Sequence, residues 1–335
     1  MHLSGFWHAA AALSGRIDLS DARRQPGRLS DLSDGALALC GVHPRQISRL
    51  RRAPALTSTH DVLTLDDPHY PNCLRVLPYA PPVLFYTGNL ERLRDPCVAI
   101  VGARRCTQRA RDIAGDLARE LSSSGASIVS GLAYGVDEAA HLTNPERAIA
   151  VLGQGLGGRL TTRQGRAIDT ILSSGGLVLS EFLPTFPATK YTFPQRNRVI
   201  SGLALGTVVV EATPRSGSLV TARHALDQGR EVMAVPGHPL DPMSEGCNRL
   251  IADGAALVTS GDDVLTCLNI TSMHRGRTPP SCTHQQAVIE ALRTGDTVDH
   301  VSAVTGLDMP TLLVAIDALE LTGHVARLPG DRLRT

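Results

Sequence analysis

From Cys97 to Val235 the chain alternates short apolar runs with amphipathic stretches, and this alternation constrains the fold more than any other feature. The runs are Val98–Val101, Ser127–Ser130, Ala148–Leu152, Leu177–Leu179, Thr207–Val210 and Val232–Val235. Each is near-continuous in Val, Ile, Leu and Ala. A strand with one wet face alternates apolar and polar side chains, so an unbroken run marks a strand buried on both faces. Helical spacing fills the stretches near 107–123, 163–174, 197–203 and 217–228. Such strands need helices above and below, and right-handed β-α-β crossovers supply them. The expected fold is α/β, a doubly wound parallel sheet. Ligands on such sheets bind beyond the carboxyl ends of the strands.

Three turns at that edge are rich in small residues. The first strand runs out through Gly102, Ala103 and Arg104 to Thr107, which can N-cap the next helix. Free amides at that helix start, with Arg104 beside them, make an expected anion site. The second strand ends in Ser130 and Gly131, and the chain then passes through Tyr134 and Gly135. The third turn, at Ser216, Gly217 and Ser218, opens a helix that contains Thr221. Together they suggest a track for several phosphates. By contrast, Gly153–Gly158 spells G-x-G-x-x-G after the wrong strand and before a delayed helix, so a tight turn is favoured over a dinucleotide site.

Basic residues sharpen this picture. Thirty-two of the 33 are arginine; the single lysine, Lys190, opens the run Lys190, Tyr191, Thr192, Phe193, Pro194, Gln195, Arg196, Asn197, Arg198. Aromatics make up only 3% of the chain, which makes two rings here notable. Cations that neutralise phosphate, next to rings on which bases stack, are the chemistry of a single-stranded nucleic-acid site. The same residues could instead pack under a loop, with Arg196 and Arg198 on carboxylates. Glu181 and Glu211, at two strand ends, are the expected partners of those arginines. Asp137 and His141, four apart on one helix, could form a base and its orienter, but a helix cap and a structural histidine are the commoner roles. No Walker lysine, Ser-His-Asp set or paired glycosidase carboxylates appear, so catalysis is not expected. Arg49, Arg51 and Arg52 form a further basic run that reads as a solvated helix end.

The net charge of +1 excludes a uniformly basic coat, so nucleic acid would meet a local patch. Seven scattered cysteines without C-x-x-C or zinc spacing suggest reduced thiols. Neither a leader nor an apolar stretch of membrane length is evident, and a cytoplasmic protein with no cofactor, no metal and no membrane contact is expected. Residues 270–283 read as a linker. Helices at 284–294, Val298–Thr305 and 310–322, then a hairpin at Val325–Leu328 and Arg332–Leu333, suggest a winged helix-turn-helix.

The motifs Val98–Arg104, Val129–His141, Ala150–Leu156, Phe193–Leu203, Arg215–Ala222 and Gln228–Leu250, in this order, resemble the DNA-processing protein A (DprA/Smf) family. The likeness runs from about residue 61 to the end. It implies an extended Rossmann-like domain at 61–269, a small N-terminal helical domain of SAM or helix-hairpin type at 1–60, and a winged helix at 284–335. It also implies a non-catalytic protein that binds single-stranded DNA, protects it during natural transformation, loads the RecA recombinase and dimerises through the Rossmann-like domain. A nucleotide hydrolase of the phosphoribohydrolase type is the alternative, for which Gly206–Glu211 is only a partial motif. Ala103 and Tyr134 stand where the family usually has Ser and Arg. Arg105, Arg109 and Arg163 are candidates to replace the lost cation.

Overall fold

The computed structural model describes residues 2–25, 27–270, 283–292, 297–321, 325–328 and 332–334. It divides into two compact units, Met1–Thr271 and Ser272–Thr335. Most of the expected linker, residues 271–282, lies outside the described residues.

The first unit opens with β1 (His2–Leu3), α1 (Gly5–Ala12), α2 (Asp34–Leu39), α3 (Pro44–Arg52) and β2 (Leu56–Thr57), which pairs antiparallel with β1. Then come β3 (Asp61–Thr64), α4 (Asn72–Arg75), β4 (Val83–Gly88), β5 (Cys97–Val101), α5 (Gln108–Ser123), β6 (Ser127–Ser130), α6 (Val136–Thr143), β7 (Ala148–Val151), α7 (Thr162–Ser173) and β8 (Leu177–Ser180). The unit ends with α8 (Thr192–Leu203), β9 (Gly206–Val209), α9 (Gly217–Asp227), β10 (Glu231–Ala234), α10 (Glu245–Ala252), β11 (Ala256–Leu257) and α11 (Gly261–Cys267). Nine strands form one sheet in the order β11-β10-β9-β5-β6-β7-β8-β4-β3. The seven from β11 to β8 are parallel; at one edge β4 pairs antiparallel with β8, and β3 antiparallel with β4.

The apolar runs behave as two-sided strands. Val98 and Ile100 point to the face covered by α5, α6 and α11, while Ala99 and Val101 point to the other. On that second face, Val199, Ile200 and Leu203 of α8 and Ala222 and Ala225 of α9 share one core with Phe6, Trp7, Ile17, Leu37 and Leu50. The first sixty residues therefore do not stand apart as an independent body; their core is continuous with the sheet domain's, because α1 to α3 are too short to bury their apolar faces alone. Local signals set the helix starts: Thr107, Thr161 and Ser216 each cap α5, α7 and α9 through their hydroxyls.

Several boundaries shift from the sequence reading, and the start of α8 matters to the site. Helix α8 begins at Thr192, five residues before the expected start at 197. Pro194 lies in the first turn, where its missing N–H costs nothing. The second unit holds α12 (Thr283–Ala291), α13 (Val298–Thr305), α14 (Met309–Leu321) and an antiparallel pair, β12 (Ala326–Leu328) and β13 (Arg332–Arg334). Val288, Val301, Leu312, Ile316, Leu319, Val325 and Leu333 form its core.

Candidate nucleic-acid interface

Sheet order places the site. The chain leaves β5 in one direction to β6, β7 and β8, and β9 to β11 are added on the other side. The gap between β5 and β9 is thus the topological switch point, where an open crevice forms. A groove of ≈ 890 Å³ lies there, lined by Val101 at the end of β5 and Thr213 just beyond β9.

The floor is the turn after β5. A Cβ on Gly102 would come within 2.6 Å of Val136, so only glycine lets this turn lie against α6. Ala103 donates its N–H to Glu211 O at 2.7 Å and is buried. Arg104 rises from the turn and sets its guanidinium 5.0 Å from the ring centre of Phe193. Arg105 also lines the groove. The opposite wall is α9, where Ser216 caps the helix and its hydroxyl lies 2.7 Å from that of Ser218. Gly217, Ser218 and Thr221 complete that wall, although Thr221 is buried.

The third wall is the start of α8 and the residues before it, Ala188 to Lys190, with Phe193, Arg196, Asn197 and Ile200. Gly153 makes room for the ring: a Cβ there would meet Phe193 at 2.7 Å. Asn197 donates to Gly217 O at 3.3 Å, joining α8 to α9. Lys190 is exposed, with its ammonium 5.0 Å from the Tyr191 ring centre. Tyr191 itself is exposed and does not line the groove. Arg104, Arg105 and Lys190 are exposed, and among the described residues none of them is in an ion pair.

Four sequence expectations are corrected by this geometry. Ser130 is fully buried and its hydroxyl donates to Ile100 O at 2.6 Å, so it has nothing left for a phosphate. Gly131 is covered by Arg196, whose guanidinium donates to Gly131 O at 2.8 Å and to Val151 O. A Cβ on Gly131 would sit 2.4 Å from that guanidinium. Arg196 is 3% exposed: it clamps the ends of β6 and β7 instead of reaching out as a free phosphate contact. Burial pulls its pKa down to about 10, opposed by the nearby Asp137 carboxylate. Arg198 bonds Glu181 at 2.5 Å on the far side of the helix, where Ser14 donates to the same oxygen at 2.5 Å. Both arginines lie on a helix, and residues two apart there point in different directions. The expected helix, starting at 197, left Arg196 outside it.

The anion site expected at the start of α5 is already filled. Thr107 donates its N–H and its hydroxyl to the Glu211 carboxylate, at 3.1 and 2.7 Å. Glu211 therefore partners that helix end and no arginine of the α8 run, whereas Glu181 does pair with Arg198. Asp137 accepts from Gly131 N and Ala133 N, at 3.1 and 3.4 Å, and burial raises its pKa. His141 is fully buried near the carbonyls of Ile128 and Ile149, and burial holds its pKa down at about 4. The two do not form an acid-base couple.

Around Tyr134 the replacement cation is spent. Arg163 lies 5.2 Å from the Tyr134 ring centre but forks onto Glu138 at 2.6 and 2.5 Å. Arg109 is exposed on α5 and does not line the groove. The amides of the G-x-G-x-x-G turn are occupied as well: Gly155 N donates to Phe186 O and Gly157 N to Pro184 O, both at 2.9 Å. Thr213 and Met243, at the mouths of β9 and β10, were not singled out from the sequence, although the carboxyl-edge rule points to their loops.

The switch point thus carries a cationic crevice with the Phe193 ring on one wall. The family model described as DNA recombination-mediator protein A matches residues 61–269. This chain belongs to that family. The DprA winged helix domain matches residues 276–331. The DNA processing protein DprA of Streptococcus pneumoniae is 45% identical over 204 residues, covering 60% of this chain and 71% of that one. Protein Smf of Escherichia coli is 38% identical over 289 residues, covering 82% and 77%. The solved DprA structure from S. pneumoniae superposes with a TM-score of 0.66 at 34% identity, covering 79% of this chain and 98% of that one. A structure describing the single-stranded DNA binding mode of DNA processing protein A from Helicobacter pylori superposes at 0.57 with 30% identity, covering 64% and 98%. Among the described residues of this DprA-family member, no helix is long and apolar enough to cross a membrane.

Proposed function

We propose that this chain is a non-catalytic recombination mediator that binds single-stranded DNA in the groove between β5 and β9. Arg104, Arg105 and Lys190 take successive phosphates, and Phe193 offers a ring to one base. Ser216, Gly217 and Ser218 add hydroxyl and amide contacts from α9. The observation that carries this reading is the alignment of unpaired cations with Phe193 along one open crevice. Charge and stacking of this kind grip a flexible strand without reading its sequence. In the cell the protein protects incoming single strands and hands them to a RecA-type recombinase, working as a homodimer in the cytoplasm. The hydrolase alternative finds no support here, since Glu211 is engaged by Thr107.

Fluorescence anisotropy with labelled oligo-dT and a matched duplex, across a salt series, tests the reading. Preference for the single strand is expected, with log K falling by about 0.7 per phosphate contact as log salt rises. Lys190→Ala should weaken binding to all sequences alike. Equal affinity of wild type and Lys190→Ala would refute this placement of the strand. Base release from nucleoside monophosphates would refute the non-catalytic assignment.

A further inference from the structure

The first sixty residues carry eight arginines against four aspartates, while the rest of the chain has 25 basic and 28 acidic residues. The excess of positive charge is therefore local. Much of it lies on one strip of α3. Arg45, Arg49 and Arg52 recur at helical spacing, opposite Ile47 and Leu50, which are buried. A cavity of ≈ 520 Å³ lies beside this strip, lined by His8, Leu13, Arg16, Arg49 and Arg52 among others. Arg16, Arg49 and Arg52 are exposed, and no ion pair among the described residues includes them. Arg51, off the strip, does pair, with Asp34 at 2.8 Å. Among the described residues, the strip's cations thus have no ion-pair partner around a concave surface.

Its position relates it to the groove. Gln195 donates to Ser14 O at 2.9 Å, and Gly15, with φ +72°, leaves room for the Gln195 side chain. Pro194, one residue before Gln195, lines the groove, and Arg16, one residue after Gly15, lines the cavity. The two concave surfaces therefore flank the same seam. The Ser14, Gln195, Glu181 and Arg198 network fixes α1 to α3 against α8 at that seam.

We propose that the cavity of Arg16, Arg49 and Arg52 is a second phosphate-binding surface, which takes the single strand as it leaves the sheet-edge groove past Gln195. This rests on the single-stranded DNA reading of the groove and extends the strand's path onto the N-terminal helices. Arginine suits the task because its planar fork grips phosphate oxygens in pairs. A strand too short to pass the seam would not feel the cavity, and a longer one would.

Length dependence provides the test. Anisotropy is read for oligo-dT of about six and about thirty nucleotides with wild type, Arg49→Ala/Arg52→Ala and Arg49→Lys/Arg52→Lys. For the long oligomer, the alanine variant should bind roughly tenfold more weakly, with a salt slope shallower by about 1.4. The short oligomer should be unaffected, and the lysine variant should recover most of the long-oligomer slope. Unchanged Trp7 fluorescence would verify folding, since Trp7 lies in the same core. Equal slopes of wild type and the alanine variant on the long oligomer would overturn the proposal, as would an equal loss on both lengths. Binding of anionic vesicles that is lost in the alanine variant, with DNA slopes unmoved, would overturn it in favour of a lipid surface. Failure of the groove itself would show differently: Lys190→Ala would leave both lengths unaffected.

Discussion

Replacing Arg196 with methionine is the sharpest test of the reasoning about α8. Methionine keeps a long unbranched side chain and removes the charge. The guanidinium donates to Gly131 O and Val151 O, and lies close enough to Asp137 for that carboxylate to favour its charged form. Charge-assisted hydrogen bonds contribute about 1.5–3 kcal/mol each. Against them stands the cost of burying the cation, which pulls its pKa down to about 10. Removal returns that cost but leaves two carbonyls without donors, at about 1–3 kcal/mol each, and a buried carboxylate without its cation. A net loss of about 3–5 kcal/mol is expected, the range for breaking a buried pair from one side. Adding Asp137→Asn keeps an acceptor for Gly131 N and should recover about 1–3 kcal/mol. Urea unfolding followed at Trp7, the single tryptophan, measures both variants. DNA binding by the folded fraction should keep the wild-type salt slope. A loss below about 1 kcal/mol, together with a slope shallower by about 0.7, would show that Arg196 is a phosphate contact, and the clamp argument would be wrong.

Burial also makes His141 a source of acid sensitivity. Its pKa is about 4 in the folded protein and 6.5 ordinarily, so between these values the unfolded chain binds a proton that the folded one refuses. Stability conferred by the neutral ring is intact above pH 6.5 and falls by about 3 kcal/mol as pH drops to 4. Asp137 works in the opposite sense, because its raised pKa lets the folded state take up a proton first. Comparing wild type with His141→Gln isolates the histidine: urea midpoints at pH 7 and near pH 4.5 should differ less in the variant, and equal differences would exclude His141 as the cause. At the groove, Phe193→Leu keeps apolar bulk against Gly153 but removes the ring that Arg104 covers. Affinity for oligo-dT should fall by about 1–3 kcal/mol with little change in salt slope; a changed slope with no loss at low salt would mean that no base stacks there.

The sequence by itself determined the sheet and the side on which the site lies. Runs such as Val98–Val101 and Ala148–Leu152 have no polar face, so they can only be inner strands with helices on both sides. The small turns after them then fall at one edge, and the groove opens there. Motif order also marked the family before any geometry was known. What only the tertiary structure decided is which charges at that edge are free. Lys190, Arg104 and Arg105 reach the groove with no ion pair among the described residues, but Arg196 and Arg198 are held by protein partners, although Lys190, Arg196 and Arg198 stand in one nine-residue run. Their partners, Gly131 O, Val151 O and Glu181, lie 65, 45 and 17 residues away in the chain. A charge goes to whichever partner the packed helix brings within reach, and burial makes that choice binding, because an unpaired charge inside costs more than a surface contact returns.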